Sequence, residues 1–214
     1  MTFSIFRQLQ WCQHRENGLK LKKIPAVRYQ KSKSATGRRS KTMGKKILII
    51  GPSGSGKTYI SAELKKRGIN AVDADSIFGL SGWFDKDGKE VKYPEDAGRE
   101  FIDNHEFLWH REFLKDYLEK QEELYFFGLS GNVFDVIDLF DKTYFLKAEL
   151  QVIAKNLRHE SRENPMGRTD YQFDNALRYA EEIERRVKEL GIEFIDVADK
   201  SPEQIFREIK GKIL

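Results

Sequence analysis

The sequence predicts an α/β domain of three layers, α/β/α, with helices on both faces of a five-stranded parallel sheet. Three observations lead there. From Lys46 onward, short apolar runs alternate with longer amphipathic stretches, the pattern of successive βα units. The first run, "ILII", passes directly into "GPSGSGKT", a glycine-rich turn of the kind that joins a strand to a helix. Late in the chain Phe173, Leu177, Ala180, Ile183, Val187 and Leu190 recur at intervals of three and four, giving a helix with one apolar face to lay on a sheet.

Taken in order, the strands are expected at 46–50 ("KILII"), 69–74 ("INAVDA"), 123–128 ("ELYFFG"), 143–148 ("TYFLKA") and 193–197 ("EFIDV"). Each is short, apolar and rich in β-branched or aromatic residues, as strands buried on both faces are. The helices fall between them. The first runs from Lys57 to Arg67 and is ended by Gly68; the second covers about Pro94 to Lys120; a short third lies near Val133 to Phe140. A fourth spans Leu150 to His159, and a fifth runs from Phe173 to Leu190, ended by Gly191. The last, Pro202 to Lys212, opens on "SPEQ": Ser201 as N-cap, Pro202 at the first helical position and Gln204 placed to close a capping box. Two polar stretches, 79–96 and 158–172, read as loops at strand or helix ends, where a doubly wound sheet holds its ligands.

Composition narrows the class. With 39% hydrophobic and 34% charged residues among 214, and no apolar run of membrane-spanning length, the chain reads as a cytoplasmic globular protein. Its single cysteine, Cys12, excludes an intrachain disulfide framework and a cysteine-based zinc site. The net charge of +4 conceals a division: residues 1–46 carry 13 Lys/Arg against one acid, Glu16, while the remainder carries 25 against 33. Residues 1–45 are therefore read as a basic, disordered extension, and 46–214 as the folded domain. Three origins for the extension stand open: sequence upstream of a start at Met43, a nucleic-acid-binding arm, or a transit peptide. Nothing catalytic is placed there.

The chemistry concentrates at the loop. Gly51, four residues, then Gly56, Lys57 and Thr58 form the phosphate-binding spacing in its required context, after a strand and before a helix. Gly51, Pro52, Ser53, Gly54, Ser55 and Gly56 can wrap main-chain N–H groups around phosphate oxygens, helped by the positive end of the helix. Lys57 is expected to reach the β- and γ-phosphates of ATP or another nucleoside triphosphate, and Thr58 to place its hydroxyl on Mg²⁺. "VDADS" sets Asp73 and Asp75 on one side of an extended chain, with Ala74 on the other. Such a pair can hold magnesium through water and orient or deprotonate an acceptor hydroxyl, or it can cap the following turn.

The third strand ends in "FFGLSGN", without the carboxylate that a hydrolase would use there; its glycines offer close approach of a substrate, and Ser130 or Asn132 hydrogen bonds to it or a helix cap. In the later loop Arg158, Arg162 and Arg168 surround "NPMG", and Arg162 and Arg168 are expected to spread over transferring phosphoryl oxygens in a closing lid. His105, His110 and His159 lack metal-site spacing.

In this order of loop, acid pair, glycine-containing strand end and arginine lid, the segment from Lys46 onward resembles the small P-loop kinases of the shikimate, adenylate and nucleoside kinase type, and most closely a bacterial branch with "DAD", an "hEFLWH"-like segment (His105 to His110) and an "R…R…NP.G" lid. The resemblance implies the P-loop NTPase fold, Asp73 as the magnesium-side acid and Asp75 as the acceptor-contacting one. The chain departs from shikimate kinases in "GLSGN", and their acceptor-binding arginine has no clear equivalent, Arg99 and Arg111 being the candidates, so shikimate is not supported as the acceptor. Trp83, Phe84 and Tyr93 suit either a ring-bearing acceptor or packing. The expectation is an ATP- and Mg²⁺-dependent phosphotransferase acting on a small molecule, catalysed by Lys57, Asp75, Arg162 and Arg168, in a monomer or homodimer that engages no membrane. A polynucleotide-end kinase using the basic arm and a nucleotide-gated binding module are the alternatives.

Overall fold

Apolar runs without polar alternation form strands only where both faces are covered, and this governs the architecture. The computed structural model describes residues 45–94, 98–160 and 169–213. Along the chain these form β1 (Lys46–Ile50), α1 (Lys57–Lys66), β2 (Ala71–Asp73), β3 (Ser81–Phe84), β4 (Glu90–Val91), α2 (Arg99–Asn104), β5 (Glu106–Trp109) and α3 (Arg111–Glu119). There follow β6 (Leu124–Phe127), α4 (Val133–Val136), β7 (Lys142–Lys147), α5 (Leu150–Leu157), α6 (Asp170–Glu189), β8 (Glu193–Asp196) and α7 (Pro202–Ile213). Short 3-10 turns occupy Ala74–Ser76 and Ile137–Leu139. Residues 1–44, which hold nearly all of the basic extension, lie outside the described residues, as do Arg162 and Arg168.

Five parallel strands make the main sheet in the order β2-β6-β1-β7-β8, and they are the five that the sequence predicts. The alternation of β1 divides the core. Ile47 and Ile49 face a layer built from Ile60 and Leu64 of α1 and Ile205 and Ile209 of α7. Leu48 and Ile50 face the opposite layer, made by Leu114 and Leu118 of α3, Val133 and Val136 of α4, and Ile183 and Val187 of α6. The four apolar side chains of β1 are fully buried, each contributing about 1.5–3 kcal/mol of apolar transfer. The cap expected for the last helix forms in both directions, Gln204 N–H to Ser201 Oγ at 3.3 Å and Ser201 N–H to Gln204 Oε1 at 2.8 Å. The fifth predicted helix starts earlier than Phe173, because Thr169 caps it through Gln172 N–H.

Residues 79–109 depart from the prediction. The stretch 79–96, expected as a loop, contains β3 and β4, and the expected helix from Pro94 to Lys120 is broken into α2, β5 and α3. β4, β3 and β5 form a small antiparallel sheet, with Trp83 opposite Phe107 and Ser81 opposite Trp109. The hairpin between β3 and β4 closes where Gly88 takes φ +78° and Asp85 Oδ1 accepts from Asp87 and Lys89 N–H. Trp83 packs on Tyr93, Phe101 and Phe107 with ring centroids 5.3–5.6 Å apart, so Trp83 and Tyr93 are packing residues.

Candidate functional site

The loop that follows β1 is mounted at the centre of the sheet, between β6 and β7. Here the chain goes to one side for β2 and β6 and to the other for β7 and β8, so the crevice beyond the strand carboxyl ends opens at β1. Gly56 is the N-cap of α1 with φ +92°, and Gly54 has φ +85°, conformations that cost a side-chain-bearing residue dearly. A Cβ on Gly54 would lie 2.9 Å from the Ile153 carbonyl oxygen of α5, and one on Gly51 would lie 2.7 Å from Ser55 Oγ. The backbone is thus pressed between α5 and its own turn.

No side chain caps α1 and its first turn holds no acid, so the first-turn amides face the loop without an internal competitor for an anion. Lys57 is only 5% exposed, and its Nζ donates to the Gly51 and Pro52 carbonyls at 2.6 and 3.0 Å. Folding the ammonium over the loop keeps a buried cation hydrogen-bonded. Ser55 Oγ is buried without a hydrogen-bond partner among the described residues. A glycine-walled turn with a buried ammonium and an orphaned hydroxyl fits a ligand of many acceptor oxygens, such as a phosphate chain. Thr58 is exposed at the first turn of α1.

Asp73 ends β2, and its register partner Phe127 also pairs with Ile49 of β1. It therefore stands on the same edge of the sheet as the loop, two strand spacings away, about 10 Å. The two acids do not alternate as a strand would have them, because β2 stops at Asp73 and Asp75 lies within the 3-10 turn. Asp73 Oδ1 accepts the Asp75 N–H at 3.0 Å and Asp73 O the Ser76 hydroxyl at 2.6 Å: the carboxylate caps the turn. Asp75 is half-buried. Among the described residues no group of three or more His, Cys, Asp or Glu could hold a metal ion.

The end of β6 is occupied by protein. A Cβ on Gly128 would meet Ala74 Cβ at 2.5 Å and the Trp109 ring at 2.7 Å, so the missing side chain admits an indole instead of a substrate. Asn132 imitates a strand: its Oδ1 accepts Trp109 N–H and its Nδ2 donates to Trp109 O, both at 2.9 Å, while Ser130 Oγ donates to the same Oδ1. Gly128, Ser130 and Asn132 thus fasten β5 to the main sheet. The two arginines considered for an acceptor are engaged too, Arg111 with Asp138 and the Asp135 carbonyl, and Arg99 with Asp103 and the Tyr171 ring. The Tyr171 hydroxyl donates to Asp103, and desolvation together with this bond pushes its pKa up to about 12.

Arg158, at the C-terminal cap of α5, lies over the Phe173 ring at 4.0 Å. One contact had no signal in the sequence. Asn156 Nδ2, from α5, donates to the Gly54 carbonyl at 2.8 Å and so binds this helix to the loop.

No family model matches the chain, and no curated protein matches it in sequence. Among solved structures it is similar to a gluconokinase from Sinorhizobium meliloti 1021, at 16% identity and TM-score 0.43, covering 78% of this chain and 89% of that one. It is similar as well to a deoxyadenosine kinase from M. mycoides solved with bound dATP, at 14% identity and TM-score 0.43, covering 78% and 98%. A shikimate kinase from Acinetobacter baumannii in complex with shikimate stands at 13% identity and TM-score 0.44, covering 80% and 96%. At such identities and scores the function rests on the site's own geometry.

Proposed function

We propose that this chain is a phosphotransferase that holds a nucleoside triphosphate with Mg²⁺ on Gly51–Thr58 and moves the γ-phosphoryl group to a small-molecule hydroxyl or phosphate. The observation that carries the reading is the buried Lys57 ammonium folded over a glycine-walled turn at the mouth of the central strand. In the reaction the acceptor oxygen bonds to the γ-phosphorus while the bond from that phosphorus to the β–γ bridging oxygen breaks. The hydroxyl proton passes to Asp75, and the nucleoside diphosphate leaves. Lys57 turns from the loop carbonyls to the phosphate oxygens, exchanging one set of acceptors for a more strongly charged one. Thr58 directly and Asp73 through water would hold the magnesium ion, which would neutralise phosphate charge. Arg162 and Arg168 close over the transferring group.

The test incubates labelled ATP and Mg²⁺ with nucleosides, nucleotides and small alcohols, comparing wild type with Lys57→Ala and Asp75→Asn. Label is expected in one acceptor class. Lys57→Ala is expected to weaken ATP binding ~10- to 100-fold, the worth of a charged hydrogen bond, and Asp75→Asn to abolish transfer while binding persists. Label released only to water would overturn the assignment. The +12 charge of residues 1–46 supports a second acceptor class, a polynucleotide end. That reading requires salt-sensitive activity that is lost in a chain starting at Met43.

A further inference from the structure

The phosphate loop is braced from outside. Gly54, with φ +85°, turns its carbonyl toward α5, where Asn156 Nδ2 donates to it at 2.8 Å, and its Cα faces the Ile153 carbonyl so closely that a Cβ would stand 2.9 Å away. A trans peptide is planar, with its C=O and N–H pointing in opposite directions. Holding Gly54 O therefore also fixes the direction of Ser55 N–H, which donates to Pro52 O at 3.1 Å. That same Pro52 oxygen accepts Lys57 Nζ at 3.0 Å. An unbroken set of hydrogen bonds runs from α5 through one peptide plane to the loop lysine.

We propose that Asn156 is a positioning residue for nucleotide binding: by fixing the Gly54–Ser55 peptide plane it presets the turn that receives the phosphate chain and holds that turn to α5. This rests on the reading of Gly51–Thr58 as a triphosphate site. Among the described residues the hydrogen bond of this side chain goes to the turn, so its effect is expected on the phosphates and not on the base. Prearranging the loop removes an ordering cost from binding. Occupancy of the loop and docking of α5 then favour one another by the same factor.

The experiment measures binding of a fluorescent ATP analogue with Mg²⁺ to the full chain, and its displacement by ATP and by inorganic tripolyphosphate. Wild type, Asn156→Leu, Asn156→Ala and Lys57→Ala are compared, with circular dichroism to establish folding. Leucine keeps the size and loses the donor; alanine, which favours helix, serves where leucine disturbs folding. Both are expected to weaken ATP and tripolyphosphate alike by ~3- to 10-fold, the worth of one neutral hydrogen bond. Binding of both ligands within twofold of wild type overturns the proposal. A loss confined to ATP overturns it as well, since Asn156 would then read the base directly. If wild type binds neither ligand, or Lys57→Ala binds as wild type does, the triphosphate site itself is refuted and this inference goes with it. Absence of phosphoryl transfer with intact binding refutes the transferase alone.

Discussion

Gly128 shows how one missing side chain organises a neighbourhood. Its absent Cβ leaves space for the Trp109 ring against Ala74, and Asn132 then grips the backbone of the same tryptophan. Gly128→Ala is expected to cost about 1–3 kcal/mol through overpacking, lowering the melting temperature by several degrees in thermal unfolding. Asn132→Ala should cost about 1–3 kcal/mol by urea unfolding, because it leaves the Trp109 N–H without its partner. Neither effect could be read from "FFGLSGN", where glycine, serine and asparagine suit a ligand as well as they suit a buried neighbour. What the sequence does show at this scale is the turn after β1, where Gly54 and Gly56 take the positive φ that a tight strand-to-helix turn asks of glycine. Asn156 was invisible, since an asparagine near a helix end looks like an ordinary cap.

At the scale of elements, the five main strands were legible because parallel strands covered on both faces are unbroken apolar runs. The insertion was not. Glu106–Trp109 has only four residues, with Phe107 and Trp109 buried, too short to separate from a helical face. The hairpin had left a sign in "FDKDGKEV", a turn sequence between strand-forming residues. α3 is anchored at its start by the ion pair from Arg111 to Asp138, both partners substantially exposed. The guanidinium hydrogen bond, ahead of the Coulombic attraction, holds the Asp138 carboxyl below its usual range. A depressed carboxylate adds stability above its unfolded pKa and loses it as pH falls through the folded one. Asp138→Asn is accordingly expected to cost under about 1 kcal/mol at neutral pH, discounted for solvent screening. In urea unfolding that gap stays constant from pH 8 to about 5 and closes below the ordinary aspartate range.

For the molecule as a whole, the described contacts begin at Lys45, whose carbonyl accepts Leu124 N–H and whose Nζ donates to the Ile213 carbonyl. A chain starting at Met43 retains these contacts and both core layers. It is expected to unfold within about 2 °C of the full chain in thermal scans and to bind ATP equally well, since a 1 kcal/mol loss would already move the midpoint by about that much. The segregation of +12 on residues 1–46 from the acidic remainder, which was legible from composition alone, does predict a difference in salt dependence for any anionic partner.

β1 is bordered by a strand on each side, while β4 is two residues long at the rim of the small sheet. Solvent deuterium should therefore reach the amides of Ile47 to Ile50 only through opening of the entire domain, and those of Glu90 and Val91 through local fraying. The support for the turn at Gly51–Thr58 is then among the slowest-exchanging of the described parts, and a triphosphate, if bound there, would prolong that slow exchange by the full free energy of its binding.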